Sequence, residues 1–196
     1  MKVSGEATLH AAVDTVYATL HDPAVLVRTI PGCERLEQVG PDAYRMAVTA
    51  GVAAIKGTYT GDVLLTDQDA PHSFLLKASG SGAPGTVSTE VSVTLASGPD
   101  GTTVLTYDAD AVVGGPVGGV GQRILVGVAK KTAGEFFAAV DDVLTGAAVG
   151  AAEPGVFTRP AAAPRVRGDF ARGVAFGAAA ALAGVVVGAL IGRRAR

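Results

Sequence analysis

The chain has 196 residues, 48% of them hydrophobic, a formal charge of -2 and one cysteine. That length suits one domain with a remainder, and near-neutral charge argues against a nucleic-acid binder as a whole. The lone Cys33 excludes an internal disulfide framework and a multi-cysteine metal site. Charge is unevenly spread: residues 1–145 hold nine Lys/Arg against sixteen Asp/Glu, or -7, and residues 146–196 hold seven Arg against two acids, or +5. An acidic body with a basic, apolar tail points to a membrane or partner contact made by the tail. Trp is absent and aromatics make up only 5%, so a core built mainly of Val, Leu, Ile and Ala is expected, either packed loosely or leaving room. The N-terminal MKVSGEATLH lacks the apolar run of a signal peptide, so export is not expected.

Residues 2–9 alternate, with Val3, Gly5, Ala7 and Leu9 on one face, as in a half-buried strand. In AAVDTVYATL, Ala12, Val13, Val16, Tyr17 and Leu20 form a helical stripe. Asp22-Pro23 then starts a second short helix, with Asp as N-cap and Pro at the first position, ending at Ile30-Pro31-Gly32. Six strands are predicted next, over 34–39, 43–50, 55–66, 73–79, 86–97 and 102–113, separated by turn signals such as Gly40-Pro41-Asp42 and Gly98-Pro99-Asp100-Gly101. Short links imply antiparallel pairing. The period of two turns Tyr44, Tyr59, Phe74, Val93, Leu105 and Tyr107 inward, and Lys77, Glu90, Asp108 and Asp110 outward.

Val112 to Leu144 reads as one long helix behind a Gly-Pro hinge, with Val117, Val120, Ile124, Val128, Phe136, Val140 and Leu144 on one side. Gly114, Gly115, Pro116, Gly118 and Gly119 form its entrance. Glycines 118, 119, 121, 127 and 134 each cost about 1 kcal/mol relative to Ala inside a helix. They either pack tightly on the sheet or leave the entrance free to open as a lid. An anion could sit at such an entrance, but no GKS/T follows it.

Strand, two helices, six strands and a long helix make an α+β helix-grip fold: a curved seven-stranded antiparallel sheet wrapped on the last helix. Within it, GCERLEQVG, KGTYTGDVLL and VGGPVGGVGQRILVGVAKKTAGEFF resemble the CoxG family of carbon monoxide dehydrogenase subunits, part of the START/Bet v 1-like (SRPBCC) superfamily. The resemblance covers about residues 1–145. It implies a partner, a molybdenum-containing carbon monoxide dehydrogenase at the cytoplasmic face of the cell membrane, which must pass electrons to the respiratory chain.

Residues 146–172, rich in Ala, Gly and Pro, read as a flexible linker. Residues 173–196 read as an apolar tail helix: twenty uncharged residues, 173–192, followed by a basic end. Twenty residues span roughly 30 Å as a helix, about one hydrocarbon thickness. Phe176, Leu182, Val186, Leu190 and Ile191 supply the apolar surface, and Arg193 and Arg194 favour a cytoplasmic end. A tail this rich in Ala and Gly either crosses the bilayer, lies on it or docks on the partner.

No catalytic or metal site is read from the sequence. His10, His21 and His72 lack ligand spacing and suit surface or capping roles, and Cys33 suits a small buried side chain. A dry sheet face under a separate helix makes an apolar site. Leu26 and Ile30 on the second helix, Tyr59, Phe74, Leu76 and Tyr107 on the sheet, and Val120, Ile124 and Phe136 on the long helix are its expected lining. The expected ligand is an isoprenoid quinone, menaquinone being one candidate, held without covalent attachment and oriented by the tyrosine hydroxyls. A non-catalytic, membrane-anchoring quinone carrier is thus expected; the alternatives are an assembly or localisation factor for the molybdoenzyme, or a START-type enzyme.

Overall fold

The computed structural model describes residues 1–146 and 156–158. The expected tail, with Phe176, Leu182, Val186, Leu190, Ile191, Arg193 and Arg194, lies outside them. Among the described residues no helix is long and apolar enough to cross a membrane.

Strand β1 (Lys2–Leu9) leads to helices α1 (Val13–Leu20) and α2 (Pro23–Thr29), then to β2 (Cys33–Gly40), β3 (Ala43–Val52), β4 (Ile55–Asp69), β5 (Ser73–Gly82), β6 (Gly85–Ser97) and β7 (Thr103–Gly114). Helix α3 (Gln122–Leu144) follows. The sheet order β1-β7-β6-β5-β4-β3-β2 places β1 beside β7 and sets every other pairing through a hairpin, all antiparallel. This is the expected seven-stranded helix grip. An eighth strand, β8 (Val156–Thr158), adds to the edge of β2 within the stretch read as linker. The compact unit holding these elements closes at Pro160.

Local chemistry explains where α2 starts. The Asp22 side chain accepts from the Ala24 N–H at 2.8 Å, with Pro23 in the first turn; losing such a cap costs about 1 kcal/mol. The core lies where α1, α2 and α3 meet the lower sheet. Leu9, Val16, Val27, Leu36, Leu95, Leu105 and Val140 are wholly buried there. Thr103, also buried, donates to the Ala11 carbonyl at 2.7 Å, which ties β7 to the start of α1.

The one long helix expected over Val112–Leu144 is three elements. Val112 and Val113 stay in β7, in register with Ser88 and Val87 of β6, because β-branched residues fit a pleated surface. Pro116–Val120 is a short 3-10 turn, flanked by Gly115 at φ 76° and Gly121 at φ 102°, conformations that end any continuous helix. Helix α3 therefore takes its phase from Gly121. Leu125 and Val140 are buried, whereas Ile124, expected on the inner stripe, is 49% exposed. Val117 belongs to the turn, its N–H bonded to the Pro84 carbonyl. Gly118 and Gly119 lie in the turn and Gly121 caps α3, so only Gly127 and Gly134 are inside the helix.

Candidate functional site

The register stacks the inward residues into transverse rows. Toward one end run Leu95–Leu105–Ala7 and Phe74–Val93–Tyr107–Gly5. Toward the other run Val63–Ala78–Thr89–Ala111 and Met46–Gly61–Gly80–Val87–Val113. The first end carries the β4–β5 and β6–β7 turns and is closed by packed side chains. The second carries the β3–β4 and β5–β6 turns and the Pro116–Val120 turn. Its inner face is small and open: Tyr59, Val63, Ala78, Gly80, Val87, Val91 and Val113 are all half-buried, and nearly all of their outward neighbours are exposed. Solvent thus reaches a trough on the concave side, open at that end.

Two glycines show why the trough forms there. A Cβ at Gly61 would stand 2.2 Å from the Ser79 carbonyl oxygen, and one at Gly82 would stand 2.2 Å from that of Thr58. Only glycine lets the backbones of β4 and β5 come this close at these positions, and the same absence of side chains hollows the floor. Helix α3 rests chiefly on β1, α2 and α1 instead of on β4–β6. Phe136 and Phe137 reach down from it with ring centroids 5.1 Å apart, and Phe137 stands 5.6 Å from Tyr107.

The structure separates the expected lining residues into four groups. Tyr59 lies at the mouth with its hydroxyl pKa raised by burial, so it stays a hydrogen-bond donor at neutral pH. Leu26, Ile30, Leu76, Tyr107 and Phe136 sit half-buried against the core. Phe74 is buried in the closed end, edge-on to Tyr17 and His21, while Val120 and Ile124 stand at the rim. The two tyrosines do not converge: eight residues of strand register separate their rows, about 27 Å of strand. One headgroup cannot bond both. The expected lining left out Phe137 and the glycine floor; the Gly61-to-Gly80 pairing is the feature that locates the hollow.

Potential acid/base groups lie elsewhere. Asp108 and Asp110 are on the outer face, and Asp110 is bonded to Lys2 at 3.0 Å, which together with that cation holds its carboxyl below the usual range. His10 and Asp141 pair at 2.8 Å and latch the end of β1 to α3. His72 is exposed, and Cys33 is buried. His21 donates through Nδ1 to the Tyr17 carbonyl at 2.8 Å. Its Nε2 is buried and has no hydrogen-bond partner among the described residues. Tyr17 and Tyr44 have raised pKa values through burial and, next, through Asp42, with Asp69 and Asp22 as respective further neighbours. The closed end is thus acidic. Among the described residues no three His, Cys, Asp or Glu converge as a metal site would require.

Two depressions lie outside the trough. One of about 600 Å³ sits on the outer sheet face beside Val39, Leu64, Lys77, Glu90 and Val112. The other, about 290 Å³, lies between β1 and α3 near Glu6, Tyr107, Lys130 and Asp141. Charged pairs such as Lys77–Glu90, 3.4 Å apart, leave the larger one poorly suited to a lipophilic guest.

Solved structures share this architecture. A conserved protein from Geobacillus kaustophilus is 36% identical, with a TM-score of 0.71, covering 74% of this chain and 95% of its own. A START superfamily protein from Mycobacterium smegmatis is 13% identical, TM-score 0.59, covering 75% and 99%. The Zhui aromatase/cyclase from Streptomyces sp. R1128 is 18% identical, TM-score 0.57, covering 74% and 93%. No curated protein matches by sequence. The family model for the CoxG subunit of carbon monoxide dehydrogenase matches residues 5–145. With the grip and its open concave face lying inside that match, the chain belongs to the CoxG family and has the fold of the START superfamily structure.

Proposed function

We propose that this protein is a non-catalytic carrier that takes an isoprenoid quinone from the membrane and presents it to a molybdenum carbon monoxide dehydrogenase. It works at the cytoplasmic face of the cell membrane, where the tail attaches it, and links the dehydrogenase's electron output to the quinone pool. The family's name supplies the partner. The observation that carries the ligand class is the half-buried concave face above the Gly61–Gly80 floor. Every isoprenoid CH₂ removed from water there contributes about 0.8 kcal/mol. A quinone head only accepts hydrogen bonds, and Tyr59 at the mouth is a donor.

The test is direct. Protein purified from membranes is extracted with organic solvent and scanned for quinone absorbance, then titrated with menaquinone in detergent. Bound quinone is expected, with binding weakened about tenfold or more by Ala78→Phe, which fills the floor. An empty extract and no uptake of added quinone overturn the reading. A second reading, an assembly or localisation factor carrying no ligand, draws on the exposed apolar residues Val39, Leu64 and Val112 around the outer depression. A START-type enzyme is the third; it needs an acid/base pair in the trough, and the inward positions offer tyrosines.

A further inference from the structure

The two ends of the sheet differ in charge. At the open end residues 50–55, 80–87 and 111–122 form three loops and strand ends without a charged residue. The charges beside them include the exposed cations Lys56 and Arg123; the acids nearby each have a partner, Glu34 accepting from the Thr49 hydroxyl at 2.7 Å and Asp110 from Lys2 at 3.0 Å. Ala53, Ala54, Ala83, Pro116 and Gly119 are exposed on these loops, and Val112 and Ile124 beside them are 72% and 49% exposed. The closed end presents Asp42, Asp67, Asp69 and Asp100 on its turns, and Asp141 and Asp142 close to the end of α3. An apolar surface with exposed cations at its edge suits an anionic bilayer, which attracts Lys and Arg and repels the acidic end.

Strand β8 supplies an independent observation. Helix α3 finishes at the closed end, where Asp141 bonds His10. From there the chain would head away from the trough mouth. Instead Val156 pairs with Glu37 and Thr158 with Arg35, antiparallel to β2. Because β2 begins at Cys33 beside Val48, near the β3–β4 turn, β8 runs toward the open end. The chain is handed on there, and only residues 159–172 separate it from the uncharged run 173–192.

We propose that the open end of the grip is a membrane-docking face, with the three uncharged loops and Lys56 and Arg123 seated on an anionic bilayer. Strand β8 runs toward the same side. The trough then opens onto the lipid surface, and a lipophilic guest passes between them without crossing water. This rests on the membrane-derived ligand of the reading above, and adds which face meets the membrane.

The experiment uses the full chain, whose single native cysteine is buried. An environment-sensitive fluorophore is attached at Ala54→Cys on the open end or at His72→Cys on the closed end. Vesicles of phosphatidylcholine and phosphatidylglycerol carrying a nitroxide-labelled lipid serve as quencher. Quenching is expected at Ala54→Cys and not at His72→Cys. Adding Ala53→Asp, Ala83→Asp and Lys56→Glu, all exposed positions outside the trough lining, should reduce the quenching of the open-end label about tenfold. Equal quenching of both labels, or rim charges without effect, overturns the docking face. Menaquinone binding in detergent, measured on the same rim variant, is expected unchanged. If that binding is absent even in the parent chain, the carrier reading fails on its own account; if the parent chain ignores the vesicles, the docking face fails.

Discussion

Tyr107 lies flat across Gly5, so that a Cβ on Gly5 would come within 2.6 Å of its hydroxyl and 2.8 Å of its ring. The pair sits at opposite positions of β1 and β7. An aromatic covering a strand glycine is a recurrent way to offset the missing side chain. Gly5→Ala should therefore destabilise the fold by about 1–3 kcal/mol through overpacking, measured by urea unfolding. Asp110 makes a different case. Its carboxyl pKa is depressed first by the hydrogen bond from Lys2, then by that cation and the N-terminal ammonium. A depressed folded-state pKa stabilises above the ordinary carboxylate range and is lost as pH falls through the folded value. Asp110→Asn should then lower the urea midpoint slightly near neutral pH and low salt. The difference should vanish in strong salt, and again in acid below the carboxylate range.

At the scale of elements, alternation within each strand was readable because one face is wet and the other is not. Lys77, Glu90, Asp108 and Asp110 face out, and Tyr44, Phe74, Val93 and Leu105 face in, as the period of two requires. The start of the last helix was not readable from its apolar spacing. Val117, Val120 and Ile124 match a helical period by coincidence, while the glycines at 115 and 121 adopt positive φ and reset the phase. Within α3 itself, a Cβ at Gly127 or Gly134 would meet nothing within 4 Å. These two glycines pack against nothing that needs them. Gly127→Ala and Gly134→Ala should each stabilise by up to about 1 kcal/mol, with quinone binding unchanged, as thermal melts and titration will show.

Over the whole molecule, the tail and the grip are expected to have separable roles. Deleting residues 146–196 also removes β8 and with it the covering of the β2 edge. The remaining grip should stay folded, because its wholly buried side chains all lie within β1 to α3. In cells, an active dehydrogenase left in the cytosol would mark the tail as an anchor. An inactive, immature dehydrogenase would instead favour assembly. Fractionation with an activity assay on both fractions separates the two.

The sequence by itself determined the strand count of the grip, its faces, the two short helices with the Asp22 cap, and the family. These follow from local periodicity, turn chemistry and motif order, each legible within about ten residues. Tertiary structure alone decided where the interior stays open. That depends on which glycine on β4 meets which glycine on β5, a pairing set by hairpin register and not by any one stretch of chain. The same holds for β8, three residues whose strand character comes from the unpaired edge of β2 beside them.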